Sequence, residues 1–113
     1  MKVSELGCAL SLPVLAGEDS REITGGIFCC DLLSMVMGRA PAGCVWVTVM
    51  GNLNTLVVAM MAEVACVILA EGIRPDEAML ARAAQEGIPI LCTEKPVYPI
   101  ARAAGDYLSG QDI

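Results

Sequence analysis

Three short apolar runs, each free of charged residues, constrain the fold of this chain more than any other feature. They span positions 44–50, 64–70 and 88–92, and the first reads CVWVTVM. β-Branched residues favour strands, and a run without polar alternation is typical of a strand that is covered on both faces. Helix-like segments separate the runs, and neighbouring parallel strands require such crossover connections. The sequence therefore predicts an α/β domain whose small sheet is mostly parallel.

Helical spacing and capping residues predict five helices around these strands. They cover about 3–12, 32–37, 55–62, 75–86 and 97–108. The expected N-caps of the first three are Ser4, Asp31 and one of Asn54 or Thr55, because such side chains accept hydrogen bonds from helix N–H groups. Two weaker strands are expected at 13–16 and 23–30, and a glycine pair interrupts the second.

Length and composition fit a single domain that spans residues 1–113. With 56% hydrophobic residues, a chain of this length can bury a core without disulfides or a structural metal. The apolar stretch 56–70 is too short to cross a membrane, which takes about 20 residues, and Glu63 interrupts it. The first residues lack the pattern of a signal peptide, so we expect a cytoplasmic protein with no membrane partner.

Charge and residue usage exclude several classes of function. The chain has no histidine, which removes the commonest general base and transition-metal ligand. Its 7 basic residues are scattered among 13 acidic ones, so no basic stripe is available for nucleic acid. The P-loop spacing is absent, which excludes a kinase or NTPase of that class. We therefore predict a protein that is not an enzyme, with no catalytic residue, no metal site and no cofactor.

The six cysteines lie mostly inside apolar runs, which favours reduced thiols in the core. Cys29 and Cys30 are adjacent and could bind a soft metal or act in redox chemistry. No C-x-x-C pair accompanies them, and neighbouring residues of a strand point to opposite faces. A thiol-based metal or redox role is therefore only a third hypothesis.

Polar residues follow each buried strand at the point where it should end. Ligands bind outside the carboxyl ends of parallel strands, so residues in these loops should converge in space. The candidate ligand-binding residues of this rim are Asn52, Asn54, Gly72, Arg74 and Thr93. Ordinary turn and cap roles are the alternative, since loops are polar by default.

A second candidate element is Thr24-Gly25-Gly26, whose glycines permit the backbone conformations of an anion-binding nest. Among the carboxylates, Glu63 most needs an explanation, because it interrupts an apolar run where an unpaired charge would be costly. It could pair with an arginine, line a subunit contact or lie at an exposed helix end. The last of these is the commonest case.

The order and spacing of several motifs along most of the chain resemble the DRTGG domain family. The motifs that carry this resemblance are Thr24-Gly25-Gly26, Asp31-Leu32-Leu33-Ser34, Trp46-Val47-Thr48 with Asn54, Glu71-Gly72, Arg74-Pro75-Asp76-Glu77 and Gly87-Ile88-Pro89-Ile90-Leu91. The family's Asp-Arg pair is replaced here by Glu22-Ile23, so no role of that arginine is transferred to this chain.

The resemblance implies a three-layer α/β/α fold similar to the N-terminal domain of HPr kinase/phosphorylase, without its kinase domain. It also implies a regulatory or assembly role. Our first hypothesis is a non-catalytic homodimeric module that senses a small anionic or nucleotide-like metabolite at the rim. The alternative is a ligand-free module that contacts a catalytic protein partner. Met35, Met37, Met60 and Met61 could supply adaptable contacts in the dimer.

Overall fold

The computed structural model of the protein describes residues 1–110, which form five helices and five strands in the expected order. In chain order the elements are α1 (Val3–Leu10), β1 (Val14–Ala16), β2 (Ile27–Cys29), α2 (Leu33–Arg39), β3 (Val45–Thr48), α3 (Leu53–Ala62), β4 (Cys66–Leu69), α4 (Glu77–Glu86), β5 (Ile90–Cys92) and α5 (Val97–Ser109). Each of the three charge-free runs contains one strand, so the strand predictions from those runs are confirmed.

The sheet has the strand order β1-β5-β4-β3-β2, and the four strands from β2 to β5 are parallel. Each of these strands pairs with the next one in sequence, through a crossover helix. Only β1 runs antiparallel, pairing with β5 through the register Val14↔Leu91. No crossover helix joins β1 to β5 directly, so the parallel direction that a crossover imposes does not apply to this edge.

Helices cover both faces of the sheet, as the three-layer prediction requires. On one face α2, α3 and α4 pack side by side, and on the other face α1 packs against α5. Trp46 and Leu69 point into the first layer, where they meet Leu56 and Met79. Their strand neighbours Val47 and Ile68 point into the second layer, towards Leu6 and Ile100. This alternation on strands without charged residues explains why β3 and β4 are fully buried.

The predicted N-cap of α2 is wrong because other groups compete for the same side chain. Leu32, which makes no side-chain cap, occupies the N-cap position of α2. The Asp31 carboxylate accepts instead from the Thr48 hydroxyl at 2.8 Å and the Val49 N–H at 3.2 Å. Asp31 therefore joins the carboxyl ends of β2 and β3 rather than starting the helix.

The caps of α3 and α1 lie earlier in the chain than predicted. Asn52 is the N-cap of α3, and its side-chain oxygen accepts from the Thr55 N–H at 3.3 Å. Similarly, Lys2 and not Ser4 is the N-cap of α1, and the Lys2 N–H donates to the Glu5 carboxylate at 2.9 Å. By contrast α4 starts at the predicted place, where the Asp76 carboxylate accepts from the Met79 N–H at 2.8 Å.

The apolar stretch 56–70 divides into the end of α3 and the whole of β4. Glu63 is the C-cap residue between them, exposed and with a left-handed φ of 59°, so of the three alternatives it lies at an exposed helix end. None of the helices within residues 1–110 is long and apolar enough to cross a membrane.

A half-buried arginine joins the ends of two helices on the same layer. The Arg21 guanidinium donates to the Val64 carbonyl at 3.0 Å, just after α3, and to the Gly87 carbonyl at 3.4 Å, at the end of α4. Gly87 is the C-cap of α4, and a helix C-terminus carries partial negative charge, so the cation is also favourably placed at the end of that helix. This link fixes the amino-terminal edge of the parallel strands.

Candidate functional site

A crevice opens between the carboxyl ends of β4 and β5. After β4 the chain enters α4 on one face of the sheet, and after β5 it enters α5 on the other face. Adjacent strands whose connections leave to opposite faces create the position where ligands bind in open α/β sheets. The crevice has a volume of about 380 Å³ and is lined by Leu10, Ser11, Leu12, Gly72, Arg74, Cys92, Thr93, Glu94 and Lys95.

The loop after β4 forms a tight turn with an unusual backbone. Glu71 and Gly72 both have positive φ, 61° and 73°, and the Ile73 N–H donates to the Ala70 carbonyl at 3.1 Å. Such a turn suits glycine, whereas a non-glycine residue in the left-handed region costs about 1–3 kcal/mol. A Cβ at Gly72 would also lie 2.8 Å from Glu94 Oε1. The left-handed conformation therefore favours glycine here, while the contact is with the end of an exposed side chain that can move aside.

Backbone hydrogen bonds hold the two loops of the crevice together. The Glu71 N–H donates to the Lys95 carbonyl at 2.9 Å, and the Gly72 N–H donates to the Thr93 carbonyl at 2.9 Å. The Lys95 N–H in turn donates to the Thr93 hydroxyl at 3.2 Å. Because these donors are used internally, a ligand would have to be bound chiefly by side chains. The crevice is thus preformed, with these three backbone donors already satisfied.

Positive charge exceeds negative charge on the crevice wall. Arg74 and Lys95 are exposed cations there, and Glu94 is the acid that lines it. Neither cation forms an ion pair within residues 1–110. Burial raises the pKa of the Cys92 thiol; the nearby Arg74 charge acts to lower it and Glu94 to raise it. A wall with two cations and one acid is notable on a chain of net charge -6.

The structure brings only some of the predicted ligand-binding residues together. Gly72, Arg74 and Thr93 all line the crevice. Asn52 and Asn54 lie at the start of α3, beside the loop that follows β3. The Asp76 N–H donates to the Gly51 carbonyl at 2.9 Å, and this bond joins that loop to the loop that contains Arg74. The Asn52 side chain caps the helix, while Asn54 is exposed. These two asparagines border the crevice loop without lining the crevice.

Thr24-Gly25-Gly26 lies at the opposite edge of the sheet. Gly26 immediately precedes β2, and its carbonyl accepts from the Val45 N–H at 2.8 Å. The Thr24 and Gly25 N–H groups both donate to the Gly43 carbonyl, at 2.9 and 3.0 Å. Because these consecutive donors are already used, the segment does not offer them to an anion, and it forms no common site with Arg74.

The crevice also contains a wall that the sequence patterns miss. Leu10, Ser11 and Leu12 come from the end of α1, and Ser11 is its C-cap with a left-handed φ of 57°. They reach the crevice because β1, which follows α1, pairs with β5. Nothing in the local sequence signals that pairing. A second cavity of about 410 Å³ lies beside α1, but none of the described residues that line it is a lysine or arginine.

The cysteines within the described residues are all free, and burial dominates the ionisation of those whose pKa is shifted. Burial raises the pKa of Cys44 to about 11 and that of Cys66 to about 12. The pKa of Cys29 is also raised, by burial and by the Asp31 charge. A raised pKa favours the protonated thiol, which is a poor nucleophile and metal ligand. Residues 1–110 contain no group of three or more histidine, cysteine, aspartate or glutamate residues placed to hold a metal ion.

The fold and the crevice define the class to which this protein belongs: an open three-layer α/β/α domain with a strand-end crevice. A solved structure with this fold contains the CBS and DRTGG domains of the regulatory region of Clostridium perfringens pyrophosphatase, complexed with its activator diadenosine tetraphosphate. The TM-score is 0.75 at 12% sequence identity, over 90% of this chain and 45% of that structure. The chain belongs to the DRTGG domain family, whose model matches residues 8–106. No curated protein shows significant sequence similarity to it.

The comparison with the solved structure therefore confirms the fold, and the family model confirms the resemblance seen in the motifs. The present chain corresponds to less than half of the pyrophosphatase regulatory region. What that region binds is therefore a property of a larger unit, in which a DRTGG domain is combined with CBS domains.

Proposed function

We propose that this protein is a non-catalytic regulatory module that binds a small anionic metabolite, such as a nucleotide polyphosphate, in the crevice between β4 and β5. The observation that carries the proposal is the pair of cations, Arg74 and Lys95, on the wall of a preformed strand-end crevice. Arginine and lysine are the side chains that bind phosphate oxygens, arginine in a bidentate manner. The position agrees with where open α/β sheets bind ligands.

The chemistry of the crevice lining also favours binding over catalysis. Its polar lining consists of two cations, one carboxylate and hydroxyls, with a thiol whose pKa is raised. A general acid and base pair needs two groups with matched pKa values near a reacting atom. We therefore propose that binding alone is the function, and that the output is a change in assembly or partner affinity. The free cysteines fit the reducing environment of the cytoplasm, which we propose as its location.

Calorimetry with diadenosine tetraphosphate, ATP and inorganic phosphate tests the proposal. We expect at least one of these compounds to bind the purified protein with micromolar to millimolar affinity. Charge-assisted hydrogen bonds contribute about 1.5–3 kcal/mol, so Arg74→Gln should weaken binding by roughly tenfold or more. Arg102→Gln removes the same charge from the exposed face of α5 and is the matched control.

Two results would contradict the proposal. One is that none of the three compounds binds the wild-type protein at millimolar concentration. The other is that Arg74→Gln and Arg102→Gln bind equally well, which would place the ligand elsewhere. Thermal unfolding should accompany each titration, because a ligand that binds only the folded state raises the melting temperature.

The second candidate function is a ligand-free module that contacts a catalytic protein. Exposed large apolar side chains, among them Leu32 at 57% and Met61 at 60% exposure, favour it. Apolar surface of this kind marks protein contact sites. A stable complex that forms equally well with Arg74→Gln and without any added compound would favour this function over metabolite sensing.

A further inference from the structure

The layer formed by α2 and α3 presents a surface almost without charge. From position 32 to position 62 the sequence contains one charged residue, Arg39, although 18% of the chain is charged. Large apolar side chains are exposed within this stretch. On one side of α2 the exposed apolar side chains are Leu32 and Met35, 57% and 39% exposed, whereas Met37, two residues from Met35, lies on the other side of the helix. Met61, 60% exposed, lies at the end of the neighbouring α3, and Leu32, Met35 and Met61 are called the apolar surface here.

Ordinary surface helices carry charged residues on their outer face, as α4 does with Glu77, Arg82 and Glu86. In contrast α3 has no charged residue at any position of LNTLVVAMMA. A helix that is apolar on every side is normally buried on every side. The outer face of this layer is therefore suited to being covered by another molecule.

The charges at the two ends of α2 indicate what covers it. Asp31 precedes the helix and Arg39 ends it, with the exposed Met35 midway between them. The Asp31 carboxylate is held in place through Oδ1 by Thr48 and Val49. Arg39 makes no ion pair with any described residue. If α2 of a second copy lies antiparallel about Met35, each Asp31 faces the other copy's Arg39.

Backbone geometry on the same helix supports a close approach. Gly38 is helical with negative φ, and a Cβ there would meet nothing within 4 Å. Glycine inside a helix costs roughly 0.5–1 kcal/mol relative to alanine. The folded chain itself gives no reason for a glycine at this place. A second helix that packs closely on this face would use the space.

Overall charge favours the same arrangement. Each copy carries a net charge of -6, so two copies repel one another over most of their surfaces. Within the stretch 32–62 there is no acidic residue at all. Two copies can therefore meet on this layer with the least electrostatic cost.

We infer that the apolar surface of α2 and α3 is a two-fold interface between copies of this chain, centred on Met35 and fastened at both ends by Asp31–Arg39 ion pairs. This inference rests on the homodimer of the first hypothesis and assigns its surface. It is independent of the crevice, which lies between β4 and β5. The two-fold symmetry makes every contact occur twice, as in other isologous dimers.

Sedimentation velocity at tens of micromolar measures the assembly. We expect the wild-type protein to be a dimer and Met35→Glu to weaken the dimer by roughly thirtyfold or more, because a central apolar contact is replaced by two facing acids. Arg39→Glu should also weaken it, since the introduced carboxylate would face Asp31 of the second copy. The matched control is Arg102→Glu, which changes the same charge on α5 and should leave the dimer intact.

Mixing two variants separates this pairing from a general effect on folding. Arg39→Glu and Asp31→Lys should each be monomeric alone, because like charges then face each other at both ends. Mixed in equal amounts, they should form a heterodimer in which every facing pair is of opposite charge. Circular dichroism melts of each variant confirm that the monomers are folded.

The inference is overturned if the wild-type protein is monomeric in this range, or if Met35→Glu dimerises as well as Arg102→Glu does. It is also overturned if the two folded charge variants do not associate when mixed. Calorimetry on Met35→Glu with the compounds used for the crevice keeps the two proposals apart. If monomeric Met35→Glu binds one of these compounds, the crevice proposal stands without the dimer. If the wild-type protein dimerises but binds none of the compounds, the interface proposal stands without the crevice.

Discussion

Replacing Arg21 by alanine should lower the free energy of unfolding much more than is usual for a residue outside the helices and strands. Its guanidinium donates to the Val64 carbonyl at 3.0 Å, between α3 and β4, and to the Gly87 carbonyl at 3.4 Å, at the C-cap of α4. The shorter hydrogen bond involves a charged donor and is worth about 1.5–3 kcal/mol. The longer bond and the dipole of α4 add roughly 0.5–1 kcal/mol after solvent screening. We expect a loss of about 2–3 kcal/mol, since a half-buried arginine recovers part of its hydration when the bonds are lost.

Urea unfolding followed by fluorescence measures this loss directly. Trp46 is the only tryptophan and is fully buried, so its emission reports the disruption of the core between the sheet and α2–α4. For a domain of this size, each 1 kcal/mol corresponds to about 4–8 °C in melting temperature. Arg21→Ala should therefore also lower the melting temperature by roughly 10–20 °C.

The matched control is Arg102→Ala, which removes an exposed arginine whose Nε lies 3.7 Å from the Asp106 carboxylate. Exposed pairs of this kind are worth less than about 0.5 kcal/mol. Arg21→Lys should fall between the two, because an ammonium cannot reach two carbonyls with a planar fork. If Arg21→Ala were as stable as Arg102→Ala, the idea that Arg21 stabilises the domain by joining the segment after α3 to the end of α4 would be refuted.

Two further predictions concern ionisation and backbone conformation. The pKa of Cys66 is raised to about 12 and that of Cys44 to about 11, from 9.0, so the folded state keeps protons that the unfolded state releases. This contribution to the free energy of unfolding should be present in full below pH 9 and should be lost between pH 9 and 12, as measured by urea titrations at each pH. The loss should be smaller in Cys66→Ala, which lacks one of the two thiols. Gly17→Ala should cost more than Gly26→Ala in the same assay: both have positive φ, but only at Gly17 would a Cβ clash with backbone atoms, those of Ile88 and Pro89, and equal costs would contradict this steric argument.

Much of the fold is predictable because its determinants are local. Runs such as VWVT and CVIL contain no charged residue, and only a strand covered on both faces hides such a run completely. The start of α4 is predictable for the same reason, since Asp76 and the N–H that it caps are three residues apart. Where the competing partner is distant, the prediction fails. Asp31 bonds to Thr48, 17 residues away, and no local pattern signals that choice.

The candidate site divides in the same way. Gly72, Arg74 and Thr93 follow strands whose carboxyl ends must share one edge, so a parallel sheet brings them together. The glycine pair precedes a strand instead of following one, which puts it at the other edge. The place of Ser11 in the crevice was not predictable, because it depends on the pairing of β1 with β5.

The pairing of β1 with β5 also has a consequence for the order in which parts of the domain open. The strands β2 to β5 pair with their neighbours in sequence, whereas Val14 pairs with Leu91, which lies 77 residues further along the chain. Contacts of such long sequence separation carry a high loop-closure cost. We therefore expect β1 and α1 to dock last in folding and to detach first in local unfolding. Since Ser11 belongs to the crevice wall, a bound metabolite should slow amide hydrogen exchange in α1 before it slows exchange in the central strands.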